Sequence, residues 1–260
     1  MFLKVIACEI AFREICHVAA QARHVVDLEM VPQGLHDHPK LGRDEVQKRI
    51  EAVPAEKYDA ILIGYGLCGN IISGLQTEHT QLVIPRGHDC ITFFLGSKQR
   101  YQRLSETHPG SYYYTSGWLE CVRRRGEKAS PMDLRFLPTR AGLNTGTETV
   151  YAEWVKKYGE ERARYLMEVM GQWTESYTHG VLIDFEFTKP LHLHEEVENI
   201  CERRGWQFEQ LEGDLHLLER WVNGEWDAES FLVLPPQHRV MPSYNSDIIR
   251  AEKISSASAV

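Results

Sequence analysis

The chain has 260 residues, of which 43% are apolar and 25% charged, so it can bury a substantial core as one large domain or two smaller lobes. Its net charge of −8 gives no basis for non-specific nucleic-acid binding. No apolar run approaches the roughly 18 residues that span a bilayer, and six cysteines are too few for a disulfide-dense secreted scaffold. We therefore expect a cytoplasmic protein with free thiols and with neither membrane nor nucleic acid as a partner.

Apolar runs typical of buried strands alternate with helical patterns along the first 120 residues. Strands are predicted at 3–8, 25–31, 55–66, 81–90 and 111–115, and helices at 9–23, 43–53 and 91–104. Strands and helices that alternate at this spacing indicate βαβ units. The predicted fold is therefore α/β, with a mainly parallel, Rossmann-like sheet and helices on both faces.

The second half of the chain resumes the same pattern after a break. Strands are predicted at 181–187, 206–213 and 231–236, and helices at 148–175, 192–205 and 215–224. Each half contains a glycine turn with Leu-His, a helix and a strand, which suggests two pseudo-repeated lobes. The predicted organisation is a first lobe over 1–120, an irregular connection over 121–147, a second lobe over 148–250 and a polar tail over 251–260.

Three cysteines stand where predicted strands of the first lobe end. Cys8 ends the first strand, Cys68 follows AILIGYGL, and Cys90 follows QLVIPRGHD. In a doubly wound sheet these strands are neighbours, and their carboxyl ends open on the edge where ligands bind. The sequence therefore predicts that three thiols converge on one crevice.

The segment GYGLCGN surrounds the second of these cysteines with small residues. Gly64, Gly66 and Gly69 allow the backbone to turn and to approach a ligand without a Cβ in the way. Together with Asn70 they are the predicted cofactor-binding residues, whose amides could hold an anionic group. The segment matches neither the dinucleotide fingerprint nor the P-loop. A plain glycine turn with an incidental buried thiol remains the alternative.

The segment RGHDC places several chemical groups beside the third cysteine. His88 is a candidate fourth metal ligand or acid/base, and Asp89 could orient its imidazole. Arg86 could bind a carboxylate or phosphate, or pair with Glu9 or Asp89. Arg86, His88, Asp89 and Glu9 form the candidate catalytic set.

The identity of the bound group stays open at this point. Three thiolates (Cys8, Cys68, Cys90) with one nitrogen (His88) suit a zinc ion, and three thiolates with one open iron suit a [4Fe–4S] cluster. A metal-free enzyme is the alternative, with Cys68 or Cys90 as nucleophile and His88 as base. Further residues whose part in the site stays open are Cys121, His36, His38 and His238.

The motifs GYGLCGN, PRGHDC and TSGWLE, with ACEI near the start and FLVLPPQHRV near the end, resemble the domain-of-unknown-function 1638 family. The resemblance implies a one-carbon or methylated-amine context linked to corrinoid-dependent methyl transfer. The resemblance assigns no reaction step; in this context the predicted Cys/His site suggests a metal-dependent transferase or lyase that acts on a small anionic or methylated substrate. A non-enzymatic accessory or chaperone protein for a corrinoid methyltransferase system is the alternative. This context implies a corrinoid protein as a partner; a homo-oligomer is a further possibility that the sequence leaves open.

Overall fold

The computed structural model describes residues 1–35, 39–125, 155, 156, 159–164 and 177–254. The chain divides into two compact units, one formed by 1–102 with 214–260 and the other by 103–213. These boundaries differ from the predicted lobes, because the last part of the chain returns to the first unit. The predicted connection over 121–147 begins inside a helix, and its remainder lies outside the described residues, as does most of the helix predicted over 148–175.

The first unit is built on a five-stranded mixed sheet. Its strands are β1 (Phe2–Cys8), β2 (Val25–Val31), β3 (Ala60–Gly64), β4 (Leu82–Pro85) and β8 (Phe231–Leu234). The order is β2-β1-β3-β4-β8, with the first four strands parallel and β8 antiparallel to β4. The predicted α/β class and mostly parallel sheet are therefore confirmed, and β1, β3 and β4 are neighbours as expected. The strand predicted over 231–236 belongs to this sheet and not to a second lobe.

Burial explains why these segments form central strands. Every residue of β3 and of β4 is buried, as is common where helices cover both faces of a parallel sheet. Both strands consist of Ile, Leu, Val and Ala apart from their last residues, Gly64 and Pro85. Pro85 ends β4, where its missing N–H costs the sheet least.

The helices α1 (Phe12–Ala20), α2 (Pro39–Glu51), α3 (Ile91–Leu95) and α7 (His216–Val222) belong to the first unit, and the boundary between the units falls within α4 (Lys98–Thr107). The single helix predicted over 91–104 is in fact two helices. Gly96 separates them with a φ of 74°, a left-handed conformation that ends α3. The segment after β8 forms an antiparallel hairpin of β9 (His238–Pro242) and β10 (Ile249–Lys253), so the polar tail predicted over 251–260 begins inside a strand.

The second unit has a three-stranded parallel sheet of its own. Its strands β5 (Ser111–Tyr114), β6 (His179–Asp184) and β7 (Gln207–Glu212) follow one another in chain order across the sheet. The described helices α5 (Ser116–Arg125) and α6 (Leu193–Arg204) belong to this unit. Its core gathers Tyr114, Leu182, Val197 and Cys201. No helix in the described part of the chain is long and apolar enough to cross a bilayer.

Candidate functional site

The three predicted cysteines line one small cavity in the first unit. This thiol cavity is lined by Cys8, Ile10, Gln33, Gly64, Tyr65, Cys68 and Cys90. It lies at the carboxyl ends of β1, β3 and β4, the edge where doubly wound sheets bind ligands. The free space in the cavity is about 20 Å³, which is enough for roughly one water-sized atom.

The strand register explains how the cysteines meet. Ala7 of β1 lies opposite Gly64 of β3, so Cys8 and Tyr65 are the next residues along the two neighbouring strands. Beyond the sheet the loops after β3 and β4 stay joined by backbone hydrogen bonds. The N–H groups of Leu67 and Cys68 donate to the carbonyls of Gly87 and His88, each over 2.8 Å. These hydrogen bonds hold the two loops together, so that Cys68 and Cys90 line the same cavity as Cys8.

The loop that bears Cys68 has an unusual backbone. Cys68, Gly69 and Asn70 have φ values of 42°, 65° and 73°, three consecutive residues in the left-handed region. Glycine and asparagine tolerate this conformation, whereas cysteine is strained there. Strain of this kind costs of the order of 1–3 kcal/mol and concentrates at functional sites. The chain continues as turns over residues 71–74.

Two of the predicted cofactor-binding glycines are required by packing inside the protein. A Cβ on Gly64 would stand 2.4 Å from the Cβ of Ala7 and 3.2 Å from the ring of Trp221. A Cβ on Gly66 would stand 2.8 Å from the backbone of Asp89. The close approach at these glycines is therefore between neighbouring strands and loops. Gly69 supplies a left-handed turn, and neither Gly69 nor Asn70 lines the cavity.

Burial keeps the thiols of Cys68 and Cys90 protonated. It raises the pKa of Cys68 to about 12, and the charge of Asp89 acts in the same direction. The N–H groups of Gly66 and Cys90 face the Cys68 sulfur and favour its thiolate, but they do not outweigh burial. The pKa of Cys90 is raised well above its usual range, first by burial and then by Cys68, Asp89 and Cys8. Cys8 and Cys68 both contribute to the raised pKa of Cys90, because both thiols lie near its sulfur.

Tyr65 adds a polar group that sequence reasoning missed. Its side chain is 3% exposed, and its hydroxyl makes no hydrogen bond to any residue that the structure describes. Burial, then Cys8 and Cys68, raise the pKa of this phenol, so it remains a hydrogen-bond donor. An unpaired buried hydroxyl costs about 1–3 kcal/mol. Tyr65 could have been inferred, because it directly follows the β3 run and stands between two glycines.

Neither His88 nor Asp89 lines the thiol cavity. His88 is exposed and does not line the cavity. Asp89 accepts hydrogen bonds from the backbone N–H of Ile91 over 2.9 Å and from the hydroxyl of Tyr101 over 2.8 Å. Burial raises the pKa of Asp89, against the opposing effect of these donors. One carboxylate oxygen of Asp89 therefore binds the first residue of α3, and the other binds Tyr101 on α4.

Arg86 and Glu9 are likewise engaged with the protein backbone. The guanidinium of Arg86 donates to the carbonyls of Ala228, Phe231, Asp247 and Ile249, which ties the end of β4 to the C-terminal segment. Glu9 accepts the backbone N–H of Gln33 over 2.9 Å and so joins the end of β1 to the turn after β2. Neither residue lines the thiol cavity.

Of the further residues that the sequence left open, Cys121 and His238 are described by the structure, and neither lines the cavity. Cys121 is buried in the second unit, and His238 begins β9 with its Nδ1 3.0 Å from the Pro236 carbonyl. Cys16 lies on α1, and Cys201 packs in the core of the second unit. His36 and His38 lie outside the described residues.

The cavity wall contains the type of ligand atom, cysteine sulfur, that a soft metal ion prefers. Thiolates are preferred ligands of zinc and of the irons in clusters, and three thiols meet here beside an unpaired hydroxyl. Their positions are not those of a closed coordination set. Among the described residues no three His, Cys, Asp or Glu side chains are grouped so that they could hold a metal ion. Binding would therefore require the three cysteine side chains to rearrange around the ion.

The comparison with known proteins gives a family without an assigned activity. A family described as a protein of unknown function (DUF1638) matches residues 30–222. The matched segment includes Tyr65, Cys68 and Cys90 and begins after Cys8. No curated protein and no solved structure matches the chain. The match covers most of the sequence and agrees with the resemblance of its motifs, so the chain belongs to the DUF1638 family.

Proposed function

We propose that this protein binds a thiolate-coordinated metal ion through Cys8, Cys68 and Cys90, and that this ion is the centre of its activity. The observation that carries the proposal is the convergence of three thiols, from the ends of three adjacent strands, on one cavity. Free cysteine is often buried singly as a small apolar residue, but three such residues in one cavity wall are unusual for packing alone.

The protonation state of the thiols supports a metal more than a free nucleophile. A reactive cysteine needs a lowered pKa and a nearby base. Here burial raises the pKa of Cys68 to about 12, and the imidazole of His88 is exposed. A bound cation reverses this effect, because it stabilises the thiolates and releases their protons.

The size of the cavity favours a single ion over a cluster. Its space accommodates roughly one water-sized atom, whereas a [4Fe–4S] cluster contains eight atoms. A zinc ion with three thiolate ligands matches both the donors and the volume. When bound, such an ion supplies a Lewis acid or activates a fourth ligand. The protein's own residues hold the ion and limit the approach of water.

The test is a metal titration of the reduced full-length chain, with Co²⁺ as a coloured substitute for zinc. The wild type is expected to bind one ion with the intense thiolate-to-cobalt absorption of a sulfur-rich site. Cys8→Ser, Cys68→Ser and Cys90→Ser should each lower the affinity by more than about 100-fold, because even changes behind the ligands cost 10- to 100-fold. Cys16→Ser, a thiol outside the cavity, is the matched control. Equal affinities in all four variants would refute the proposal.

The cellular context is a separate proposal that rests on the resemblance. We propose that the metal centre acts in the cytoplasm in corrinoid-linked one-carbon or methylated-amine metabolism, on a small anionic or methylated substrate. We further propose that the sheet is Rossmann-like, that the two halves of the chain are an internal repeat and that the protein forms a homo-oligomer. Saturable binding to a purified methylated-amine corrinoid protein, lost in Cys68→Ser, would support the context, whereas the absence of binding would oppose it.

A further inference from the structure

Two of the three cavity thiols stand on loops that are hydrogen-bonded to each other. Cys68 follows β3 and Cys90 follows β4, and both residues are partly exposed, whereas Cys8 ends β1 and is buried. The backbone N–H of Cys68 donates to the carbonyl of His88, two residues before Cys90, over 2.8 Å. The two loop cysteines are therefore the pair that the backbone holds together.

The spacing of these loops matches the reach of a disulfide bond. Neighbouring chains joined by backbone hydrogen bonds lie about 4.7–4.9 Å apart, and a disulfide joins Cα atoms roughly 4.4–6.8 Å apart. The loops touch one residue earlier as well, since a Cβ on Gly66 would stand 2.8 Å from the backbone of Asp89. Both cysteine side chains line the same cavity, and the N–H of Cys90 faces the Cys68 sulfur.

The backbone at Cys68 indicates that its sulfur has a purpose beyond packing. Its φ of 42° lies in the left-handed region, which glycine or asparagine adopts with less strain than cysteine. Strained residues persist mainly where the side chain serves a function. A thiol held in such a position beside a second thiol favours chemistry between the two.

We propose that Cys68 and Cys90 form a reversible disulfide in the metal-free protein, with a small disulfide of the glutathione type as the oxidant. One cysteine sulfur attacks the small disulfide, forms a mixed disulfide and releases one small thiol. The other cysteine then attacks the mixed disulfide at the protein's sulfur, closes the Cys68–Cys90 bond and releases the second small thiol. The cysteines lose two electrons and two protons, and the two released thiols take up both. The inference goes beyond the proposed function, because the disulfide needs no metal ion.

The experiment uses the full-length chain with a chelator, equilibrated under nitrogen in mixtures of reduced and oxidised glutathione. After acid quenching, N-ethylmaleimide blocks the free thiols of the denatured chain, and mass spectrometry counts them and maps the disulfide peptides. The wild type should lose two of its six blockable thiols as the mixture becomes more oxidising, and should yield a Cys68–Cys90 peptide. Dithiothreitol should restore both thiols.

The variants identify the pair. Cys68→Ser and Cys90→Ser should each lose the internal disulfide. The matched control is Cys8→Ser, which changes the third thiol of the same cavity and should form the bond at the wild-type glutathione ratio.

The remaining outcomes would each overturn the inference. A wild-type disulfide that includes Cys8, or an internal bond that persists in Cys90→Ser, would refute the assignment of the pair. Six thiols that stay free, or that form only mixed disulfides with glutathione, would refute the bond itself. A Cys68–Cys90 bond that forms only in urea would show that the folded loops keep the sulfur atoms apart. None of these outcomes depends on a bound ion, so this inference and the proposed function fail independently.

Discussion

Alkaline pH should destabilise the metal-free protein through Cys68. Burial raises the pKa of this thiol from 9.0 to about 12 in the folded state. Its stabilisation of the fold is therefore fully present below the unfolded-state pKa, near 9, and is lost as pH rises toward 12. At pH 10 an unfolded thiol with pKa 9 is about ten parts thiolate to one part thiol, and the folded thiol stays neutral. The expected loss from Cys68 alone is about 1.4 kcal/mol at pH 10.

Urea unfolding of the wild type and of Cys68→Ala at pH 7 and pH 10 isolates this contribution. The samples contain a chelator and a reductant, so that neither metal nor disulfide interferes. Groups remote from Cys68 titrate equally in both proteins, and their effects cancel in the difference. Cys68 also helps to raise the pKa of Cys90, and loss of that contribution in Cys68→Ala can only enlarge the difference. The wild type's advantage in unfolding free energy over Cys68→Ala should shrink by about 1.4 kcal/mol between the two pH values. An advantage that stays constant or grows would show that the folded thiol titrates normally, and would refute the account of its burial.

Four further outcomes test other parts of the site. Zinc binding at pH 7 in weak buffer should release about three protons per ion, as read by a pH indicator, because the thiols begin protonated; release of none would show that the thiols are not the ligands. Tyr65→Phe without metal should unfold in urea at equal or slightly higher free energy, since it removes an unpaired hydroxyl, and a loss above about 1 kcal/mol would reveal a protein partner. Gly64→Ala should lose about 1–3 kcal/mol in the same assay, because its Cβ would stand 2.4 Å from that of Ala7, and full stability would contradict this packing. Arg86→Met should lose at least about 2 kcal/mol with unchanged metal affinity, because four carbonyls lose their donor; weakened metal binding in a folded variant would place Arg86 in the site.

The sheet and its adjacency were predictable because hydrophobic runs and strand order obey general rules. The strands predicted over 3–8, 55–66 and 81–90 contain β1, β3 and β4, although β3 and β4 are shorter and end at Gly64 and Pro85. The doubly wound pattern correctly placed these three strands side by side. The antiparallel return of 231–234 to this sheet was not predictable, since a short apolar run carries no information about which edge it joins. The break at Gly96 was missed because helical periodicity continues on both sides of it.

Within the site, the cysteines were predictable and their neighbours were not. Strand ends fix where Cys8, Cys68 and Cys90 emerge, but the direction of loop side chains depends on turns that the sequence leaves open. His88 thus points to solvent, while Tyr65, which carried no recognised motif, lines the cavity. Arg86 was expected to bind an anion, and its guanidinium instead holds backbone carbonyls that lie about 140 or more residues further along the chain.

The central claim is that three thiols from adjacent strands bind one ion. X-ray absorption at the zinc edge of the loaded protein measures this directly, because it counts sulfur neighbours and gives their distance. The account predicts three sulfur atoms at about 2.3 Å with one lighter atom, and two sulfur atoms in Cys90→Ser. A first shell of nitrogen and oxygen alone, or a sulfur count that Cys90→Ser leaves unchanged, would contradict it.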